Sequence, residues 1–206
     1  MQKTEEFNIK KALTTGWNLM VERFFVFFLA LFIIAAFASS SDYLLRFFKD
    51  AEVFNLLLRV IFYAVSVLLT LGFIKINLLV INKKKPHINE LFSCYDRILQ
   101  QIIADVISLV IILIGFVFLI IPGIYLAVRL QFTSFFIVDK NMKAIDALKA
   151  SFKITKGRAL RLFFFDLLLG LINVLGFFTF AVGLFFSIPT TSAAMTLVYR
   201  ELSTKK

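Results

Sequence analysis

The chain alternates between long apolar runs and shorter stretches in which apolar residues return at helical spacing. Phe24–Ala38, Ile102–Ile121 and Phe180–Ile188 are runs with almost no charge, the pattern of helices whose solvent is lipid. Extended through their neighbours, they predict six spans, at about 24–41, 54–81, 102–121, 123–138, 162–178 and 180–199. Between and before them lie three amphipathic segments. The first has Phe7, Ile9, Leu13, Trp17, Met20 and Phe24 on one face, opposite Lys10, Lys11, Thr14, Asn18 and Glu22. The second has Ile88, Leu91, Phe92, Tyr95, Ile98, Leu99 and Ile102, and reads as one helix. The third covers 142–156, with Ile145, Leu148 and Phe152 inward and Lys149, Lys153 and Lys156 outward. The expected fold is an all-α polytopic membrane bundle of six transmembrane helices with three cytoplasmic interfacial helices. It forms a single domain over residues 1–206.

Residues 119–158 hold the pattern together. An apolar run ends at Pro122-Gly123, which is expected to make a turn, and a second run carrying Arg129 leaves the apolar region at Asp139-Lys140. Residues 39–53 are expected to be a mixed polar connection, and Pro189 to kink the last span among small and hydroxyl residues that suit close helix contact. Ala36-Phe37-Ala38 followed by serines imitates a signal-peptidase site. The segment before it contains Glu5, Glu6 and Glu22 and reads as a structured helix, so the first span is expected to stay uncleaved. Ile9–Leu13, Ile88–Phe92 and Ala144–Leu148 each open an amphipathic segment ahead of a hairpin, which suggests a threefold repeat. Identity between the copies is slight, so convergence under one physical demand is the competing explanation.

Composition strengthens the membrane reading. Apolar residues make up 60% of the 206, charged ones 17%, mean hydropathy is +0.90 and Phe occurs 27 times. A soluble domain carries about 45–50% apolar and about 25% charged residues. The net charge of +10 could point to nucleic acid, but its distribution favours topology instead. Eighteen of the 23 basic residues lie in four segments: four in the N-terminal segment, four in 82–101, seven in 139–161 and three at the C-terminus. Six spans with both termini cytoplasmic is the simple threading that puts all four on one side. One cysteine, Cys94, excludes an internal disulfide framework, and one histidine, His87, excludes sites needing two imidazoles.

Several of these stretches resemble a known family. They are Gly16-Trp17, Lys85-Pro86, Pro-Gly-Ile-Tyr-Leu-Ala-Val-Arg at 122–129, Ile-Val-Asp-Lys at 137–140, and Ala-Leu-Lys-Ala-Ser with Thr-Lys-Gly between 147 and 157. Together the chain resembles the YciC-like family of bacterial inner-membrane proteins, itself similar to the membrane domain fused to some glycerophosphodiester phosphodiesterases. The resemblance implies a six-span inner-membrane fold and carries no catalytic residues. The soluble phosphodiesterase domain has no counterpart here.

Four ionisable side chains fall inside spans: Lys75, Asp105, Arg129 and Asp166. Such residues face protein or water and have partners. At about 1.5 Å per residue, Lys75 and Asp166 lie roughly 8–9 Å deep and Arg129 about 15 Å deep. An ion pair between Asp166 and Arg129 or Lys75 is therefore expected, either as a static fixture of helix register or as part of a substrate or ion pathway. Asp105 is shallower and within reach of headgroups. Lys149, Lys153 and Lys156 are the lipid-headgroup candidates, on a helix expected to lie flat on the leaflet. No glycine-flanked aspartate, nucleophile elbow or phosphate-binding glycine loop occurs, so neither catalytic residues nor a metal or cofactor is expected. The function expected is a non-enzymatic, lipid-interacting or membrane-homeostasis protein whose partners are membrane lipids, anionic ones included. The alternative is a small transporter using Arg129, Asp166 and Lys75. A protein partner or a second copy is left open.

Overall fold

Asn8 opens the first helix, its side chain accepting a hydrogen bond from the Lys11 N–H at 3.1 Å. The computed structural model describes residues 7–48, 51–179 and 182–204; among them the chain is helical, with no strand. Helix α1 (Ile9–Glu22) buries Ala12, Gly16 and Met20, four residues apart. The chain breaks at Arg23 and continues as α2 (Phe24–Phe47). The polar connection expected over 39–53 is thus mostly helical. Ser39, Ser40 and Ser41 return their hydroxyl protons to carbonyls three or four residues back, which lets polar residues extend the helix. Asn55 receives the end of α2, donating to Leu45 O at 2.8 Å and Phe48 O at 3.4 Å, while Arg59 donates to its Oδ1.

Helix α3 (Glu52–Ile81) ends in a left-handed residue, Lys83. The single amphipathic helix expected over 88–102 is instead two 3₁₀ turns, Ile88–Phe92 and Tyr95–Arg97, with the α-helix starting only at Ile98. The reason is a close approach: Leu91 is fully buried over Gly72 of α3, where any Cβ would overlap the Leu91 carbonyl. Helix α4 (Ile98–Phe118) then runs to an extended residue, Leu119, and α5 (Ile120–Leu130) returns. The turn expected at Pro122-Gly123 therefore lies three residues earlier. Pro122 sits in the first turn of α5, where its missing N–H costs no helical bond. Gly123 faces Gly115 across the hairpin, and a Cβ on Gly115 would come within 2.9 Å of Gly123 Cα.

The fourth apolar run is not one helix. It breaks at Gln131-Phe132 and resumes as α6 (Thr133–Lys140), capped by left-handed Asn141. Helix α7 (Ala144–Ile154), α8 (Ala159–Phe178) and α9 (Leu184–Thr204) complete the chain. The sixth apolar segment thus begins at Leu184, and the part of it at 180–181 lies outside the described residues. Helix α9 carries Pro189 and is buried on most sides, at Thr190, Thr191, Ala193, Ala194, Thr196, Val198 and Tyr199 among others. Its small residues let α1 come close: a Cβ on Gly16 would sit 2.7 Å from Thr190 O. Tyr199 is fully buried among Phe132, Phe135 and Phe136, and its hydroxyl donates to Asp139 at 2.9 Å, while Arg200 pairs with the same carboxylate at 2.9 Å.

Among the described residues, five segments are long and apolar enough to cross a membrane by length and composition: Phe24–Phe47, Glu52–Ile81, Ile88–Phe118, Ile120–Lys140 and Ala159–Phe178. Helix α9 is not among them. A helix shielded by its neighbours has no need of an apolar surface all round.

Candidate functional site

The site grows out of the break in the fourth apolar run. Interrupting a helix frees backbone donors and acceptors, which must find partners where water is absent. Helix α7 supplies them. Ser151 Oγ accepts the Phe132 N–H at 3.2 Å and donates to Arg129 O at 2.9 Å, while Thr155 Oγ1 reaches Arg129 O at 3.3 Å. Ser151 and Thr155 are fully buried. Helix α7 is therefore a splint across the break. Its inward face is Ala144, Ala147, Leu148 and Ser151; Ile145, expected inside, is 55% exposed. Small side chains won the inward positions because they bring α7 within hydrogen-bonding distance of the broken backbone. At its start the Ala144 N–H donates to Gln100 Oε1 at 3.0 Å, so α7 extends from Gln100 of α4 to Arg129 of α5.

Arg129 is 6% exposed and completes the splint from the other side. Its Nε donates to Thr155 Oγ1 at 2.9 Å, one Nη to Tyr125 OH and the other to Phe152 O. The guanidinium lies over the Phe152 ring at 3.9 Å and the Tyr125 ring at 5.4 Å. The Phe152 carbonyl belongs to the last turn of α7, the negative end of that helix, where a cation is favoured. Among the described residues no carboxylate pairs with Arg129. Its charge is balanced by a helix end, two ring faces and hydroxyls.

Beside it opens a groove of about 420 Å³ lined by Ile111, Leu130, Leu148, Phe152, Arg129, Lys149, Lys153 and Lys156. The three lysines are exposed. The sequence-level candidates thus come together in part: Arg129 shares one groove with all three headgroup lysines. The groove contains four cations and no acid.

The other intramembrane candidates stand apart from it. Lys75 pairs with Glu90 at 2.9 Å and donates to Ser93 Oγ at 2.8 Å, fastening the 3₁₀ turns to α3. Asp105 accepts from Gln101 at 2.7 Å and from Tyr63 at 3.4 Å. The expected ion pair of Asp166 with Arg129 or Lys75 does not form, because each cation is already engaged elsewhere. Asp166 lies beside the Gln131 side chain, yet Asp166 Oδ1 and Gln131 Nε2 are both buried without a hydrogen-bond partner. It lines a cleft of about 400 Å³ with Gly170, Asn173, Thr191, Ser192 and Met195. Within it Asn173 and Thr191 meet at 3.3–3.4 Å. Gln131, Ser151 and Thr155 were missed as site residues. Their signal was present in the spacing of Ser151 and Thr155, one helical turn apart on the small-residue face of α7.

Among the described residues no group of three or more His, Cys, Asp or Glu could hold a metal ion. Residues 50–203, about three quarters of the chain, match the family model described as Domain of unknown function (DUF7847), and the chain belongs to that family. No curated protein and no solved structure matches it.

Proposed function

We propose that this chain is a non-enzymatic integral membrane protein that engages membrane lipid, anionic lipid foremost, through the basic side of α7. The observation that carries this reading is the placement of Lys149 and Lys153 on the exposed face of a helix that is docked into an apolar bundle, with Lys156 exposed in the turn that follows it. Basic side chains next to an anionic leaflet contribute about 1 kcal/mol each. The hairpin tip from Phe116 to Ile121 is exposed apolar surface, suited to acyl chains.

The reading includes a threading. Helix α9, 21 residues and about 31 Å long, is the sixth span, hidden from lipid by its neighbours. Both termini and the α7 lysines then face the cytoplasm of a bacterial inner membrane, as the charge distribution and the YciC-like resemblance favour. The three units would be α1 with α2 and α3, the 3₁₀ turns with α4 to α6, and α7 with α8 and α9. Single-cysteine labelling with Cys94 removed tests the threading: cysteines at Lys84 and Lys149 should be shielded from an external reagent, and one at Ser40 labelled. Native mass spectrometry of the detergent-extracted chain tests the activity. Retained anionic phospholipid is the expected result, and a bare chain, or one that holds zwitterionic and anionic lipid alike, overturns it.

A second reading, a small transporter, draws on one observation: the Asp166 cleft combines an unpartnered carboxylate oxygen with Asn173, Thr191 and Ser192 beside a broken helix. Solvent labelling of a cysteine at Ser192 from either side of the membrane would favour it.

A further inference from the structure

We propose that the groove between α4, α5 and α7 is a seat for a phosphate ester, with Arg129 as its buried anchor and Lys149, Lys153 and Lys156 as its closing side. The inference rests on the lipid reading above and deepens it, by naming the recognised group and the place where it binds.

Two independent observations point to it. The first is chemical. A guanidinium has five N–H donors, and the contacts of Arg129 with Thr155, Tyr125 and Phe152 engage one on each nitrogen. One N–H on each terminal nitrogen is left over, enough to donate to two phosphate oxygens. The second is the company it keeps. Arg129 is nine-tenths buried, no carboxylate partners it among the described residues, and the only other charged residues lining its groove are the three lysines. A purely structural arginine, placed only to cap α7, needs no further cations around it; mutual repulsion would disfavour them. An anion entering the groove relieves that repulsion.

The shape suits the same ligand. Leu130, Leu148, Phe152 and Ile111 make the walls apolar, so a phosphate enters with its charge toward Arg129 and an ester substituent against carbon. The lysines stand on successive turns of α7 and its extension, at 149, 153 and 156, and their flexible stems can fold over the bound group. Helix α7 cannot shift to evade the load, because Ser151 and Thr155 tie it to the break.

The chemistry is shared by an anionic phospholipid headgroup and a soluble phosphate ester, and the experiment separates them. The full chain, in nanodiscs of phosphatidylcholine with a minor share of phosphatidylglycerol, is assayed for retained phosphatidylglycerol by native mass spectrometry, with and without millimolar glycerol 3-phosphate. Replacing Lys149, Lys153 and Lys156 together by Gln should lower retention on the order of tenfold. Ile111→Trp, which fills the groove and removes no charge, should lower it comparably; Ile111→Phe repeats the test if the tryptophan lowers the melting temperature. Glycerol 3-phosphate displacing the lipid shows that the phosphate is the recognised group; lipid retained against it shows a lipid seat in which the acyl chains add to the phosphate. Glycerol 3-phosphate bound with no lipid retained would uphold the seat and overturn the lipid reading. Retention lowered by the lysine variant but unchanged by either Ile111 variant would overturn the seat and leave the lipid reading standing. Retention unchanged by all variants would overturn the seat as well.

Discussion

Arg129 and Asp166 are both ionisable residues inside apolar helices, and the fold treats them in opposite ways. Every nitrogen of Arg129 has a partner, and its charge rests on the C-terminal carbonyls of α7 and two aromatic faces. Asp166 has a buried oxygen with no partner, next to a glutamine nitrogen in the same condition. The first arrangement holds the structure together at a broken helix. The second is a local cost, since an unpartnered polar atom away from water is destabilising. The contrast teaches that the presence of a charge in a span does not say what the charge is for; whether each of its polar atoms has a partner says more.

The sharpest way to break the comparison is to cut the splint. Ser151→Ala removes the acceptor of the Phe132 N–H and the close donor to Arg129 O, leaving only the Thr155 hydroxyl, whose single proton lies nearer Ser151 O at 2.8 Å. A buried donor left unsatisfied costs about 1–3 kcal/mol, so Ser151→Ala should lower reversible unfolding stability in detergent by about 2–3 kcal/mol. A loss under half a kcal/mol would mean the break is held by other contacts.

Arg129→Met should cost less, about 1–2 kcal/mol in the same measurement. It forfeits three hydrogen bonds from a charged donor but also removes the burden of a buried charge, and an apolar chain of similar length fills the same space. The ordering is the test: a larger loss for Arg129→Met than for Ser151→Ala would make the guanidinium, rather than the α7 hydroxyls, the main support of the break.

Much of this was legible in the sequence and some was hidden for identifiable reasons. The apolar runs between charged segments mark the helices because a chain in lipid has few other ways to satisfy its backbone. The lysines at 149, 153 and 156 were readable as one outward face. The break was not read, although Arg129, Gln131, Thr133 and Ser134 interrupt the fourth run with polar groups. Length and mean hydropathy are blind to that interruption. The inward face of α7 was misjudged by bulk: Ile145 and Phe152 are the large residues, while Ala144, Ala147, Ser151 and Thr155 make the close approach. The 3₁₀ turns after Ile88 follow from Gly72, sixteen residues earlier, and such a distant steric demand leaves no trace in local periodicity. The partners of Lys75 and Asp166 depend on which helices abut, which spacing along one helix does not encode.

Asp166→Asn carries the smallest expected effect and the most informative sign. If Asp166 is a load on the fold, replacing its carboxylate by an amide of nearly the same shape removes a charge from a poorly hydrated place. The new side chain keeps a carbonyl oxygen beside Gln131 Nε2, so it forfeits little there. Loss of the charge is then the main change, and stability should stay level or rise by up to about 1 kcal/mol. The same substitution at a structural carboxylate such as Asp139, which accepts from Tyr199 and pairs with Arg200, should lower stability instead. Running the two side by side in one detergent controls for the general effect of losing a negative charge. A drop for Asp166→Asn as large as that for Asp139→Asn would mean that Asp166 supports the fold as Asp139 does. A level or raised stability would mark Asp166 as a residue kept at the fold's expense, and its cleft with Asn173 and Thr191 as the place to look for what it contacts.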